Sequence, residues 1–197
     1  MYSSLSVIVA DTSHAEIISR IGHSAFRKAF EYLFNSREEL QQYLDHTYNI
    51  DKLVASIGKE TNIYFLAVLD RQVVGFAKLK KHSLNQQIDS FAQTELQKIY
   101  VLFEHHGSGA GNALLEACID LAREVQAEQL WLDTHIANAR GIRFYERHGF
   151  KKHAKYFFTI GTQQFEYDLM TLEIIQKLKG KSQKSKFRIF QFLIFNF

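Results

Sequence analysis

The stretch that decides the fold is residues 99–115, IYVLFEHHGSGAGNALL, in which a β-like run leads into a loop with glycine at 107, 109 and 111. Residues 112–127 then carry apolar side chains at the spacing of one helical face, so the order is strand, glycine loop, helix. Glycine lets backbone approach a ligand closely, and the first N–H groups of a helix attract an anion. The stretch therefore predicts a cradle for a pyrophosphate group.

Two other phosphate-binding motifs contain a similar loop. A P-loop continues with Lys and Ser or Thr, whereas Asn112 and Ala113 stand here, so that motif is excluded. A dinucleotide-binding fingerprint has its third glycine where this chain has Asn112, although Asp133 is well placed for the acidic residue of that motif. A turn that uses glycine for geometry alone stays open at this point.

The rest of the chain alternates β-like and helical patterns around this stretch. Capping boxes at Ser13-x-x-Glu16 and Ser36-x-x-Glu39 predict the starts of two helices. A third helix is predicted over 112–127 and a fourth over 138–148, and the predicted strands cover 5–10, 62–69, 73–81, 95–103, 129–134, 150–160 and 164–173. This order predicts an α/β (α+β mixed) fold, a sheet with helices on both faces.

Length and charge bound the organisation of the chain. Its 197 residues fit one domain, which we place at residues 1–176, followed by a basic and then Phe-rich tail at 177–197. The net charge is +3, but the tail holds six of the 24 basic residues and none of the 21 acidic ones. The domain itself is therefore acidic, and we expect no nucleic-acid partner.

The tail allows several interpretations. It could be a docked extra strand, a contact in a homodimer, a membrane-surface anchor or an appendage unrelated to activity. The chain shows no secretory signal and no membrane-spanning run, and Cys118 is its single cysteine, so we expect a cytoplasmic protein.

The glycine loop and a second motif together resemble a known family. Gly107-x-Gly109-Ala110-Gly111-x-x-Leu114-Leu115 is followed by Asn138-Ala139-x-x-Ile142-x-Phe144-Tyr145-x-x-x-Gly149-Phe150, and both are similar to the motifs of the GNAT superfamily of acyl-CoA N-acyltransferases. The resemblance spans about residues 5–173. It implies a central mixed, mostly antiparallel twisted sheet of about six to seven strands. Scattered further matches resemble bacterial polyamine (spermine/spermidine) N-acetyltransferases of the PaiA type.

The resemblance also implies which residues bind acetyl-CoA. The pyrophosphate would lie on the loop N–H groups, the pantetheine would pair with the strand before the loop, and strand 129–134 would splay away to make room. Asn138 would hydrogen-bond the pantetheine arm. His106 stands where the family usually has Gln or Arg, so we expect weaker or pH-dependent CoA affinity. The predicted cofactor-binding residues are Ile99, Tyr100, Val101, His106, Gly107, Ser108, Gly109, Ala110, Gly111, Asn112 and Asn138.

Two residues are predicted to carry the chemistry. Tyr145 is the expected general acid, since a phenol is a reasonable proton donor to a departing thiolate. Glu95 is the expected base for the amine proton, with a solvated carboxylate at a strand end as the alternative. No His pair has a convincing spacing to a third ligand, so no metal is predicted.

The function predicted from the resemblance is acetyl-CoA-dependent acetylation of a primary amine by direct transfer, with a small polyamine such as spermidine or spermine as the first candidate. The alternatives are acetylation of a protein lysine or N-terminus, and a CoA-binding or nucleic-acid-binding regulator without catalysis.

Overall fold

The computed structural model describes residues 4–175, which form one seven-stranded sheet flanked by five α-helices. The strands are Leu5–Val9 (β1), Asn62–Leu69 (β2), Gln72–Lys81 (β3), Gln93–Val101 (β4), Gln129–His135 (β5), Lys151–Ile160 (β6) and Gln163–Glu173 (β7). The helices are Ala15–Phe30 (α1), Arg37–Thr47 (α2), Ile50–Ile57 (α3), Ala110–Glu124 (α4) and Ala139–Arg147 (α5).

The sheet has the order β1-β2-β3-β4-β5-β7-β6, and every neighbouring pair is antiparallel except β4 and β5. The predicted mixed, mostly antiparallel sheet is thereby confirmed. The predicted domain end at residue 176 and the tail at 177–197 lie outside the described residues.

Two hydrophobic cores cover the two faces of the sheet. On one face, α4 packs Leu114, Leu115 and Cys118 against the strands, all with no exposed surface. On the other face, α1 and α2 pack Ile21 and Leu44 in the same way. Burying a side chain of this size contributes about 1.5 to 3 kcal/mol, so both layers hold the sheet rigidly between them.

The helix starts differ from the sequence prediction in two places. Asp11, and not Ser13, caps the first helical segment by accepting a hydrogen bond from the Ser13 N–H, so the predicted capping box at Ser13 is wrong. The cap at Ser36 is confirmed, since its hydroxyl accepts from the Glu39 N–H at 3.2 Å. Helix α3, eight residues long, was not predicted, although Asn49 caps it and its apolar residues recur at helical spacing, at positions 50, 53, 54 and 57.

The β2–β3 hairpin turns on two residues. Asp70 and Arg71 have φ of 47° and 70°, the left-handed conformation of a two-residue hairpin turn, and Gln72 already belongs to β3. The hairpin itself is as predicted, with a turn one residue shorter.

The central strands β4 and β5 pair only at their beginnings. Gln93, Thr94 and Glu95 face Gln129, Leu130 and Trp131, and no later residue of β4 pairs with β5. The β3–β4 register shifts so that Lys78 faces Lys98 and Leu79 faces Leu96, which leaves Gln97 as an extra residue in β4. Such a bulge bends a strand, and here it bends β4 where the two strands separate. The predicted splaying of strand 129–134 is thereby observed.

Among residues 4–175, no helix is both long and apolar enough to cross a membrane.

Candidate active site

A cleft opens between the diverging strands, and we call it the splay cleft. Residues 95–100 of β4 form one wall and residues 133–135 of β5 form the other, and Asn138 and Tyr145 close it beyond the strand ends. Its volume is about 220 Å³. Most of the residues that sequence analysis predicted for chemistry and for pantetheine binding therefore meet in one place.

The open edge of β4 presents backbone groups to the splay cleft. The Leu102 N–H donates to the Val74 carbonyl of β3 at 2.9 Å. Alternate residues of an antiparallel strand point their backbone groups in opposite directions, so Ile99 and Val101 point theirs toward the side that β5 has left. An extended amide-bearing ligand can pair with these groups as an added strand.

The glycine loop, residues 106–112, requires glycine at two positions. Gly107 has φ of +91° and Gly109 has φ of +88°, conformations that strain any other residue. No described atom lies within 4 Å of the position that a Cβ on Gly107 would take, so the loop surface there is open.

The loop ends in a helix start with available donors. The N-cap residue of α4 is Gly109, which has no side chain to cap the helix. The first backbone hydrogen bond into the helix is donated by Ala113 to the Gly109 carbonyl. The N–H groups of Gly111 and Asn112 are left for a ligand, while the Ser108 hydroxyl accepts from the Ala110 N–H at 3.4 Å. Free amides at a helix N-terminus form a site for an anion such as a pyrophosphate.

His106 fixes the loop to the strand before it. Its Nε2–H donates to the Val101 carbonyl at 3.0 Å, and its ring packs on Phe103 with the centroids 5.3 Å apart. The side chain is thereby directed at β4. Its predicted contact with CoA stays a prediction.

Asn138 caps helix α5. Its Oδ1 accepts from the Gly141 N–H at 3.0 Å, and its Nδ2 donates to the Thr134 hydroxyl at 3.2 Å. The second Nδ2 hydrogen has no acceptor within residues 4–175, and the predicted contact with pantetheine would use it.

Tyr145 is buried, with 9% of its surface exposed, and packs against Phe144 and Phe150. Burial raises the pKa of its phenol. Its hydroxyl has no hydrogen-bond partner in the described part of the chain. A phenol that stays protonated and faces a cleft can donate its proton to a group bound there.

Glu95 lies at the last paired position of β4, with 8% of its surface exposed. Its carboxylate accepts hydrogen bonds from Ser83 Oγ at 2.8 Å and Gln97 Nε2 at 3.1 Å, and Lys80 Nζ lies 4.0 Å away. These contacts hold the carboxylate in place, and an ionised carboxylate can accept a proton.

Asp133 is a second carboxylate in the cleft, and sequence analysis did not select it for chemistry. Although Asp133 is exposed at its position in β5, loss of solvation beside the cleft walls raises its pKa to about 6; the nearby Tyr156 hydroxyl opposes the shift and the charge of Glu95 adds to it. The sequence marks Asp133 only by its position near the end of a predicted strand, where it matched the acidic residue of the dinucleotide-binding motif.

The acid and the carboxylates approach the cleft from opposite faces of the sheet. Tyr145 belongs to the core under α4 and α5. Glu95 and Asp133 alternate with the buried Leu96 and Leu132 of that same core, so their side chains point to the face covered by α1, α2 and α3. A group held between the strands would meet a proton donor on one side and proton acceptors on the other.

A larger cavity adjoins the splay cleft, and we call it the lysine cavity. It has a volume of about 750 Å³ and lies between α2, α3, the β6–β7 turn and strands β2 to β4. Tyr43, Gln97, Lys98 and Phe158 line both spaces. Sequence analysis did not find this cavity, because its walls come from distant segments with no shared motif.

Within residues 4–175, no group of three or more His, Cys, Asp or Glu side chains is placed to hold a metal ion.

The open sheet, its diverging central strands and the uncapped glycine loop define the class of protein as an N-acetyltransferase. Residues 22–150 match the Acetyltransferase (GNAT) family. The chain belongs to that family, which confirms the resemblance seen in its two motifs.

Three known proteins illustrate the likeness. An uncharacterised N-acetyltransferase from Lactobacillus delbrueckii subsp. lactis is 27% identical over 64% of this chain and 73% of its own length. An N-alpha-acetyltransferase from Sulfurisphaera tokodaii is 30% identical over 45% of this chain and 56% of its own. The crystal structure of PaiA N-acetyltransferase from Thermoplasma acidophilum, in complex with coenzyme A, has a TM-score of 0.71 at 19% identity, covering 86% of this chain and 99% of that one.

Proposed function

We propose that the protein transfers an acetyl group from acetyl-CoA to a primary amine. The observation that carries this proposal is the splay cleft itself: an unpaired edge of β4 leads directly into a glycine loop whose helix lacks a side-chain cap. One linear ligand with amides at one end and a pyrophosphate at the other fits both features. The solved complex of the PaiA protein with coenzyme A supports this assignment.

The chain's residues divide the binding work by position. The Gly111 and Asn112 N–H groups hold the pyrophosphate, where the helix dipole contributes roughly 0.3 to 2 kcal/mol. Ile99 and Val101 pair with the pantetheine amides. An N–H on this edge of β4 polarises the thioester carbonyl and stabilises the negative charge that develops on its oxygen.

Bound acetyl-CoA would supply the thioester carbon that the amine attacks. Glu95 accepts the amine proton, and Tyr145 donates its phenolic proton to the departing sulfur. The new N–C bond replaces the C–S bond, and the two proton transfers keep the charges balanced. Acid and base thus act from the two faces of the sheet on either side of the gap.

Two carboxylates of the splay cleft can serve as the base. Glu95 accepts two hydrogen bonds, lies 4.0 Å from the Lys80 Nζ and stands where β4 and β5 separate. Asp133 lies on the same face, with a pKa of about 6, and is the second candidate. The pH profile of kcat/KM separates these two carboxylates.

For the acceptor, the sequence prediction of a small polyamine rests on the resemblance to PaiA-type enzymes alone. Lys78 and Lys98, which line the neighbouring cavity, count against it, since a second ammonium group would meet like charges there. A peptide N-terminus is the second candidate, supported by the N-alpha-acetyltransferase relative. Both are primary amines, so the proposed chemistry holds for either.

The test is release of free thiol from acetyl-CoA in the presence of an amine panel: polyamines, amino acids, amino sugars and short peptides. We expect turnover with at least one class, and acetylated product at the same rate by mass spectrometry. CoA binding with no turnover on any amine would contradict the proposal and favour a CoA-binding regulator.

A further inference from the structure

Two lysines stand opposite each other on the floor of the lysine cavity. Lys78 of β3 and Lys98 of β4 are directly paired in the sheet, and both side chains are half-buried. Their Nζ atoms lie over the rings of Tyr64 and Tyr48, at 5.5 and 5.4 Å from the ring centroids. Like charges in directly opposed positions destabilise a sheet, so this pair costs stability unless another group offsets it.

These two lysines have no ion-pair partner in the described part of the chain, and the charge of Glu95 acts on them only from beyond ion-pair distance. No carboxylate of residues 4–175 lies within 4.0 Å of either Nζ. Glu95, on the same face, is engaged by Ser83, Gln97 and Lys80. Glu39, the one carboxylate that lines the lysine cavity among the described residues, accepts hydrogen bonds from the Thr162 N–H and hydroxyl.

The remaining charges of the cavity have the same sign. Lys52 lines its wall beside His46, and its Nζ lies 2.8 Å from the His46 Nδ1. Burial lowers the pKa of both Lys78 and Lys98 to about 8; the charge of Lys78 contributes to the shift of Lys98, and the charge of Glu95 opposes the shift of both. Half-buried cations without a counter-ion are costly even beside aromatic rings, and an anion between them removes that cost.

We propose that the acceptor amine carries an anionic group, a carboxylate or a phosphate, which Lys78 and Lys98 bind together. This inference rests on the proposed function and names the class of its acceptor. The anionic end lies in the lysine cavity, and the amine reaches the splay cleft past the residues that the two spaces share. A second ammonium group, as in a polyamine, would meet the two lysines in place of an anion.

The overall acidity of the domain does not oppose this proposal. Charges farther away than about 8 to 10 Å are largely screened by salt, whereas Lys78 and Lys98 meet a bound group directly. The local charge of the cavity therefore decides which acceptor binds.

The test compares acceptors of equal length that differ at one end. γ-Aminobutyrate, butylamine and putrescine share a chain of the same length and end in a carboxylate, a methyl group and an ammonium group. The same set one carbon shorter and longer covers the reach of the cavity, and phosphoethanolamine against ethanolamine tests phosphate. We expect kcat/KM about ten- to hundredfold higher for the anionic member, the range expected of charged hydrogen bonds.

Variants tie the preference to the lysines. Lys78→Met and Lys98→Met should each reduce the ratio of kcat/KM for γ-aminobutyrate over butylamine, and Lys78→Arg should restore most of it. Lys151→Met, at an exposed position of β6 outside both spaces, is the matched control and should leave the ratio unchanged.

The outcomes separate this inference from the proposed function. Equal or better turnover of butylamine or putrescine, with a ratio that the lysine variants do not change, would overturn the anion site and leave the acetyltransferase intact. If no amine is acetylated, the proposed function fails, and calorimetric titration of γ-aminobutyrate and butylamine into the CoA complex decides the site. A preference for γ-aminobutyrate that Lys78→Met removes upholds it, and equal binding rejects it.

Discussion

The two halves of the candidate site are built from different material. The donor half, the open edge of β4 with the glycine loop, offers backbone amides that two positive-φ glycines and an uncapped helix hold in place. The acceptor half, the lysine cavity, offers side chains from four strands and two helices, together with a turn. A backbone site suits one constant ligand, whereas a side-chain site can change its ligand by substitution. We infer that this chain shares its donor with its family and sets its acceptor by its own side chains.

The strongest test of this division is Tyr145, which lines the splay cleft beside the donor half. Tyr145→Phe removes the proton donor to the leaving sulfur and keeps the ring packing, so we expect kcat to fall by about 10² to 10⁴-fold. The dissociation constant for CoA should stay within about twofold, because the ring remains in place. Steady-state kinetics and CoA titration measure the two effects.

The matched control is Tyr32→Phe, at an exposed position outside the cleft. A Tyr145→Phe enzyme with normal kcat and weakened CoA binding would show that the tyrosine only packs against the donor.

The second test asks whether Glu95 or Asp133, which both line the splay cleft, accepts the amine proton. Glu95→Gln should lower kcat by about 10²-fold if Glu95 accepts the amine proton. The low-pH limb of kcat/KM separates the candidates: if Asp133 is the base, activity is lost as the pH falls through about 6, because Asp133 then becomes protonated.

In that case Asp133→Asn would lose most of its activity, and the residual activity would show no limb near pH 6. Glu95→Gln would keep both the activity and the limb. Full activity in Glu95→Gln would remove Glu95 from the mechanism.

The third test weakens the donor half through its backbone. Gly109→Ala forces a Cβ into a φ of +88° without a clash, since the nearest atom, Leu5 Cδ2, would lie 3.5 Å away. We expect a loss of about 1 to 2 kcal/mol in the free energy of unfolding. The dissociation constant for CoA should rise about tenfold, because relief of the strain moves the loop amides.

Gly58→Ala is the control, since Gly58 ends α3 with an ordinary φ of −68° and an ordinary contact at the Cβ position. It should leave CoA binding unchanged. Equal effects of the two variants would show that the loop amides are not the CoA site.

The same division explains what sequence could and could not predict. The strand order and the glycine loop leave local signals, since alternation, helical spacing and glycine at set positions are all read within a short window. Tyr145 was predicted through a motif, and the structure places it in the cleft. Asp133 and the opposition of Lys78 and Lys98 were missed, because they depend on register and tertiary packing between distant segments. Helix α3 does carry a local signal, apolar residues at helical spacing behind the cap at Asn49, and the prediction overlooked it.

His106 shows what the structure adds to a motif. Its place in the chain predicts a contact with CoA, which stays a prediction, and its Nε2–H donates to the Val101 carbonyl. Position along a motif predicts where a residue lies, whereas the hydrogen bonds available there decide which way its side chain points.

The smallest effect we predict concerns the stability of the protein and the charge of Asp133 in the splay cleft. The pKa of Asp133 in the folded protein, about 6, exceeds its ordinary value of 3.8, so the folded state binds the proton more tightly than the unfolded state does. Stability is therefore lost as the pH rises from about 4 to about 6, and the loss persists at higher pH. Because Asp133 is exposed and solvent screens its charge, Asp133→Asn should raise the melting temperature at pH 8 by about one degree and leave it nearly unchanged at pH 4. Calorimetry at the two pH values checks this, with Asp89→Asn, at an exposed loop position, as the control. A melting temperature that rises equally at both pH values would mean that the charge of Asp133 is not what strains the cleft. A rise confined to pH 8 would show that the ionised carboxylate of Asp133 lowers the stability of the protein, as charged groups at functional sites commonly do.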